Sequence, residues 1–130
     1  MKLRLHNEGA CGMVQMFNAG KVNFDTDGID EGVVIATLPQ GAIITKAVVV
    51  VNEAFDAATT NVLTVGVKDD LDAIVDASGV TGGTVGAYNV PVFFKMENET
   101  DVYVQYAQTG TVATAGGAEI YLEVVFEPRS

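Results

Sequence analysis

The densest group of potential ligands in the sequence is a short acidic segment. Asp25-Thr26-Asp27-Gly28-Ile29-Asp30-Glu31 contains four carboxylates, and oxygen atoms are the ligands that Ca²⁺ prefers in proteins. A calcium loop of the EF-hand type needs a bidentate carboxylate at its twelfth position, which is here Ala36. We therefore favour a solvent-exposed acidic turn, in which Asp27-Gly28 provides the positive φ angle, over a calcium site.

Other routes to catalysis have little support in the residue types. His6 and Cys11 are the only histidine and the only cysteine, so neither a catalytic triad nor a zinc site built from several Cys and His is favoured. Carboxylate pairs for glycoside hydrolysis are available, but the chain has no Trp to form a sugar-binding platform. The glycine-rich segment 79–86 lacks the Lys-Ser/Thr of a phosphate-binding loop. We expect no enzymatic activity, no metal and no cofactor.

The N-terminal stretch has an unusual composition for a surface segment. Two methionines and a phenylalanine lie among glycines, and adaptable apolar side chains of this kind are enriched at protein interfaces. We predict an N-terminal arm or edge segment over residues 1–20, followed by one β-sandwich domain over residues 21–130. The alternative for this stretch is an edge strand that covers the core. The predicted partner-binding residues are Met13, Val14, Met16 and Phe17.

Composition limits the partners and the compartment. Seven Lys and Arg against 17 Asp and Glu give a net charge of −10, which opposes binding to nucleic acid or to anionic membranes. No apolar run approaches the ~20 residues that a membrane-spanning helix needs. The single cysteine excludes an intrachain disulfide, as is typical of proteins made in a reducing cytoplasm.

Alternation of apolar and polar residues predicts strands that could position such an interface. In residues 118–127, Ile120, Leu122, Val124 and Phe126 alternate with Glu119, Tyr121 and Glu123, which is typical of a half-buried strand. A long, central strand is predicted over residues 42–55, and Pro91 indicates a sheet edge or a bulge within 88–96. The other predicted strands cover residues 21–25, 31–38, 61–67 and 101–107.

One helix is predicted, over residues 69–79, from an Asp N-cap, acidic residues in its first turn and Gly79 at its end. About seven strands with no helix between consecutive ones indicate an all-β fold rather than a βαβ fold. We predict an antiparallel β-sandwich with one short peripheral helix, and a jelly roll is one topology that fits.

The order of several segments resembles a known group of proteins. A turn at Leu38-Pro39-Gln40-Gly41 enters a Val-rich strand that ends at Val51, and Ala54-Phe55-Asp56 and then Leu63-Thr64-Val65-Gly66 follow. With the acidic short helix and the Glu-rich last strand, this order resembles the capsid decoration, or cement, proteins of tailed bacteriophages. The resemblance covers about residues 31–127, and that family supplies no catalytic motif to transfer.

The resemblance implies a structural virion protein on the outer surface of a phage capsid, assembled in the host cytoplasm. Its expected partners are the major capsid protein and further copies of itself, as a trimer. The alternative is a virion-attached module that binds glycans or a host surface through residues 79–86, with Tyr88 and Tyr103 in place of the missing Trp. Nucleic acid and membrane are not expected as partners.

Overall fold

The computed structural model describes residues 14–126, and every described element of regular structure is a β-strand. No helix that could cross a membrane occurs among these residues. The eight strands are β1 (Val14–Asn23), β2 (Val33–Leu38), β3 (Ala42–Glu53), β4 (Thr60–Val67), β5 (Asp70–Val75), β6 (Gly86–Lys95), β7 (Thr100–Thr109) and β8 (Gly117–Phe126).

The strands form two antiparallel sheets of four strands each. Sheet A has the order β1-β8-β3-β6, and sheet B has the order β2-β7-β4-β5. Eight strands divided between two sheets in this order form a jelly roll. The predicted all-β sandwich is confirmed, and β3 is, as predicted, a long interior strand.

The core lies between the inner faces of the two sheets, as alternation predicts. Ile120, Leu122 and Val124 are fully buried, and they face Leu63, Val65 and Tyr106 from sheet B within one hydrophobic cluster. The rings of Phe55 and Tyr106 are 4.5 Å apart, and the Tyr106 hydroxyl donates a hydrogen bond to Oδ1 of Asn61. The largest polar group in the core therefore has a partner.

The loops at the two ends of the sandwich differ in length. Residues 39–41, 68–69 and 96–99 form short connections at one end. The longer loops 24–32, 54–59, 76–85 and 110–116 meet at the other end, which we call the long-loop end. Backbone hydrogen bonds join them, from Phe24 N to Gly116 O (3.0 Å), Phe55 N to Gly82 O (2.9 Å) and Ala58 N to Thr111 O (3.0 Å).

The prediction of a helix over residues 69–79 is wrong, because this segment contains strand β5. Leu71, Ala73 and Val75 also recur with period two, and β5 pairs with β4 through Val65 opposite Val75. A strand here covers the edge of β4, and that tertiary pairing outweighs the local capping signals. Gly79 is part of a turn in which its N–H donates to the Asp76 carbonyl at 3.0 Å.

The structure extends one predicted strand and places Pro91 on a sheet edge. The strand expected over residues 21–25 begins earlier, since β1 starts at Val14 and has a register shift between Asn18 and Gly20. Pro91 lies in β6, which is an edge strand, and the register of β6 against β3 shifts next to it. The prediction of an edge or a bulge at Pro91 is therefore confirmed in both forms.

Candidate partner-binding surface

The outer side of sheet A combines apolar and charged side chains. We call it face A, and it consists of the outward-facing residues of β1, β8, β3 and β6. In β3, Val48 and Val50 are half-buried and alternate with Ala47, Val49 and Val51, which are fully buried. In β8, Tyr121 lies opposite Val48. Face A thus has an apolar centre on its two interior strands.

Face A also differs in charge from the rest of the molecule. Of the 17 carboxylates, Glu8 and Glu127 lie outside the described residues, which leaves 15. Three of these lie on face A: Glu119 and Glu123 in β8, and Glu53 in β3 opposite Gly117. Three of the four described lysines lie there as well: Lys21 opposite Glu119, Lys46 opposite Glu123, and Lys95 opposite Ile43. The face is therefore neutral, while the remaining described surface has 12 carboxylates and one lysine.

The two carboxylates of β8 on face A are held in place by neighbouring hydroxyl groups. Thr45 Oγ1 donates to Oε1 of Glu123 at 2.8 Å, and Tyr121 Oη donates to Oε1 of Glu119 at 3.3 Å. The lysines belong to β1 and β3, on the two sides of β8, and to β6 beyond β3. The acidic strand β8 therefore has a lysine on each neighbouring strand.

Edge strand β6 adds the most exposed large apolar side chain of the described residues. Phe93 is 77% exposed, whereas its neighbours Val92 and Phe94 pack against the core. Sequence reasoning missed Phe93 as a surface residue. The signal was the alternation along β6, which continues through Pro91: Tyr88, Val90, Val92 and Phe94 face the core, and Phe93 lies in the outward phase.

The predicted partner-binding residues lie at the opposite edge of face A. Met16 in β1 lies opposite Glu123 and is 45% exposed. The backbones of Val14 and Phe17 pair with Val125 and Leu122, while the side chains of both lie outside the described part, as does all of Met13. The structure therefore places Met16 on an open strand edge and leaves the grouping of the four residues a prediction.

The outer side of sheet B, which we call face B, has polar side chains that are hydrogen-bonded within the chain and an exposed Val34 on its edge strand. Thr37 Oγ1 donates to Asp101 at 2.7 Å, and the Gln105 amide donates to the Asp30 carbonyl at 2.9 Å. A Cβ placed on Gly66 would lie 2.2 Å from the Asp70 carbonyl oxygen. The chain of β5 therefore passes directly over face B at Gly66.

The acidic segment 25–31 forms part of the long-loop end. Ile29 is buried, and its carbonyl accepts a hydrogen bond from Tyr106 N at 2.9 Å. Gly28 has φ of 79°, as the predicted turn requires. Asp25, Asp27, Asp30 and Glu31 are exposed. No group of three or more His, Cys, Asp or Glu side chains within residues 14–126 is arranged to hold a metal ion.

Asp56 connects two loops of the long-loop end. Its Oδ1 accepts hydrogen bonds from the backbone N–H groups of Thr114 (2.7 Å) and Ala115 (3.0 Å), and its Oδ2 accepts one from Thr114 Oγ1 at 3.0 Å. These bonds favour the charged form and lower the pKa of Asp56, the Thr114 backbone bond contributing most. The carboxylate thus holds the loop that leads into β8.

Asp72 in β5 has the opposite shift. A hydrogen bond from its carboxyl to Asp70, together with the negative charge of Asp70, raises the pKa of Asp72. Both residues are exposed, so this is repulsion between neighbouring surface carboxylates on the strand that crosses face B.

The loop considered for glycan binding is braced by the chain itself. Tyr88 Oη can donate to the carbonyl of Thr84 (2.7 Å) or of Thr81 (3.1 Å), and its ring packs against the core. A Cβ on Gly82 would lie 2.9 Å from the Asn61 carbonyl. Tyr103 is on face B, on the opposite sheet. The structure does not bring Tyr88 and Tyr103 together.

Comparison with known proteins identifies solved structures of the same fold. A chain of the cyanophage Pam1 capsid asymmetric unit aligns with a TM-score of 0.69 and 21% identity, over 97% of this chain and 94% of that chain. A chain of the acidic stable capsid structure of Helicobacter pylori bacteriophage KHP30 aligns with a TM-score of 0.67 and 13% identity, over 90% of each. At these identities the similarity establishes the fold.

No protein-family model matches the chain, and the search of curated proteins also found no match.

Proposed function

We propose that this protein is a structural virion component that binds the outer surface of a phage capsid and stabilises it by bridging capsid subunits. The observation that carries the proposal is the extent of the structural similarity. It covers at least 90% of this chain and of both similar chains, and both of those belong to phage capsid structures. A fold alone does not determine function, but two chains of matching size from capsids of different phages favour a capsid role.

An outer position is supported by charge. A protein that lines the inside of a capsid would face DNA phosphates, which a chain of net charge −10 would repel. Outside the capsid, the same charge faces solvent and other proteins. The proposed partners are the major capsid protein and further copies of this chain, with a trimer as the expected assembly.

The proposed contact with the capsid is the N-terminal segment with the free edge of β1. Met16 is exposed on this edge, and Oε1 of Gln15 is buried with no hydrogen-bond partner among the described residues. Buried polar atoms are normally bonded, so a donor from residues 1–13 or from a partner would satisfy it. Unpaired strand edges are also common sites for docking another chain.

Re-addition to capsids tests the proposal. Particles that lack this protein should bind the purified chain during co-sedimentation and should then resist heat better than untreated particles. Particles that bind none of the added protein would overturn the capsid role. Particles that bind it without any gain in thermal resistance would overturn the stabilising role.

A matched pair of variants tests the contact residues. Met16→Glu introduces a charge on edge strand β1, and Val34→Glu does the same on edge strand β2 of the other sheet. The two side chains are similarly exposed, at 45% and 49%. We expect Met16→Glu to lose capsid binding and Val34→Glu to retain it. Equal binding by both would exclude the β1 edge as the contact.

A further inference from the structure

Face A has an apolar patch at its centre. Val48, Val50 and Tyr121 are half-buried neighbours across β3 and β8, and exposed Phe93 lies further along the sheet on β6, between the levels of Ile44 and Lys46. Exposed apolar groups that lie together, rather than singly, are typical of interaction sites. No described segment of the chain covers this patch in the way that β5 covers face B.

The charge distribution restricts what can cover it. A basic partner would be attracted to the 12 carboxylates elsewhere on the described surface rather than to a neutral face. An acidic partner without a neutral patch would be repelled by those same carboxylates. A partner that fits face A has a contact surface with an apolar centre and with both positive and negative side chains around it. Any strongly acidic surface of this partner lies outside the contact.

A second copy of this chain has these properties. On face A, Glu119 and Glu123 lie on β8, and Lys46 lies on the adjacent β3, so that a glutamate of one copy can lie against Lys46 of the other. The rest of the described surface has 12 carboxylates and one lysine, so contact there would bring more like charge together. We propose that face A is the contact between copies of this chain.

The proposal rests on the proposed function only for the expectation of self-association, and it predicts a different assembly, because a contact of face A with itself is two-fold and forms a dimer rather than a trimer. Capsid binding through the β1 edge can fail while the contact between copies remains, and the reverse also holds. The two are therefore separable by measuring mass and capsid binding on the same variants.

The main test compares Val48→Asp with Val62→Asp by light scattering of the purified protein. Both residues are half-buried and outward-facing on interior strands, Val48 on face A and Val62 on face B. We expect the unmodified chain and Val62→Asp to have an oligomeric mass, and Val48→Asp to fall to the monomer mass of 13.6 kDa. Circular dichroism must show that both variants fold.

A charge exchange provides a second test that does not disturb packing. Because Lys46 and Glu123 are also cross-strand neighbours within one chain, the two changes are made in separate copies. Lys46→Glu and Glu123→Lys should each be monomeric alone, and an equimolar mixture of the two should form the oligomer, because only the mixture brings opposite charges together between copies. A monomeric unmodified chain would overturn the proposal. A Val48→Asp protein that keeps its oligomeric mass would also overturn it. If that protein no longer binds capsids, face A is instead a contact with the capsid.

Discussion

Face A and face B are the outer sides of two four-stranded sheets, but their outward side chains have different surroundings. On face B, the chain supplies its own cover, because β5 crosses over Gly66 and places Leu71 next to Gly32 and Tyr103. Thr37 on this face donates a hydrogen bond to Asp101, and Gln105 donates one to the Asp30 carbonyl in the acidic segment. On face A, the apolar centre has no such cover among the described residues.

The difference separates two uses of outward apolar groups. Leu71 contributes to the folding of the single chain, because its neighbours are already in place. Val48 and Val50 contribute little there, since burial of apolar area stabilises only when water is removed from it. Substitutions on face B should therefore change the stability of the monomer, and substitutions on face A should mainly change association.

The largest effect on stability is expected from adding a side chain at Gly66, where the backbone of Asp70 and Leu71 lies closest to β4. A Cβ at Gly66 would lie 2.2 Å from the Asp70 carbonyl oxygen and 2.4 Å from the Leu71 carbonyl carbon. Gly66→Ala must therefore displace β5, and we expect a loss of about 3 kcal/mol in the free energy of unfolding, at the upper end for overpacked sites. Chemical denaturation of the purified protein measures it.

Gly20→Ala is the matched control in sheet A. Its Cβ would meet only the Ile35 side chain, at 3.6 Å, which is an ordinary contact, so the change should stay within about 0.5 kcal/mol. Equal losses for both variants would mean that β5 does not closely cover face B.

A smaller effect is expected from removing side chains on the two faces. Leu71→Ala should lower the free energy of unfolding by about 1 to 2 kcal/mol. This is less than for a fully buried leucine, because Leu71 is only half-buried. Val48→Thr on face A keeps the β-branched shape and should cost the monomer less than about 0.5 kcal/mol. Urea titrations at low protein concentration provide both values. A larger loss for Val48→Thr than for Leu71→Ala would contradict the expectation that face B contributes more to the stability of the monomer.

The sequence predicts the strands well where one side of a sheet is buried. Period two in residues 118–127 identifies β8 because its inward residues must all be apolar. In β5, Leu71, Ala73 and Val75 also recur with period two, but Asp69, Asp70 and Gly79 form a consistent set of helix-capping signals that favours a helix. Only the position of β4 beside this segment decides in favour of a strand, and that is a property of the tertiary fold.

The candidate surface is less predictable than the fold. Met16 could be selected from composition, since methionine among glycines is conspicuous. Phe93 could also be selected, because Tyr88, Val90, Val92 and Phe94 alternate as the inward residues of β6 and leave Phe93 in the outward phase. The gathering of Lys21, Lys46 and Lys95 on one face is invisible in the sequence, as it needs the order β1-β8-β3-β6 and therefore the topology.

Acid should weaken the loop that leads into β8 of sheet A. The folded state lowers the pKa of Asp56 below its ordinary value of 3.8, so the carboxylate stabilises the fold above that value, and this stabilisation is lost as pH falls through the lowered pKa. Asp56→Asn should lower the thermal midpoint at pH 7, and the difference from the unmodified chain should shrink in strong acid. Asp27→Asn, an exposed carboxylate of another loop, is the control and should change the midpoint less.

The smallest effect is expected on β5, with the opposite sign. The folded state raises the pKa of Asp72 through Asp70, so the charged carboxyl opposes folding at neutral pH, and protonation removes that opposition as pH falls through the raised pKa. Asp72→Asn should raise the thermal midpoint at pH 7, and the gain should disappear near pH 3. Because both carboxylates are exposed, salt should also reduce the gain. A lower midpoint at pH 7 would mean that Asp72 supports β5 over face B, and the repulsion from Asp70 would then be the lesser influence on this strand.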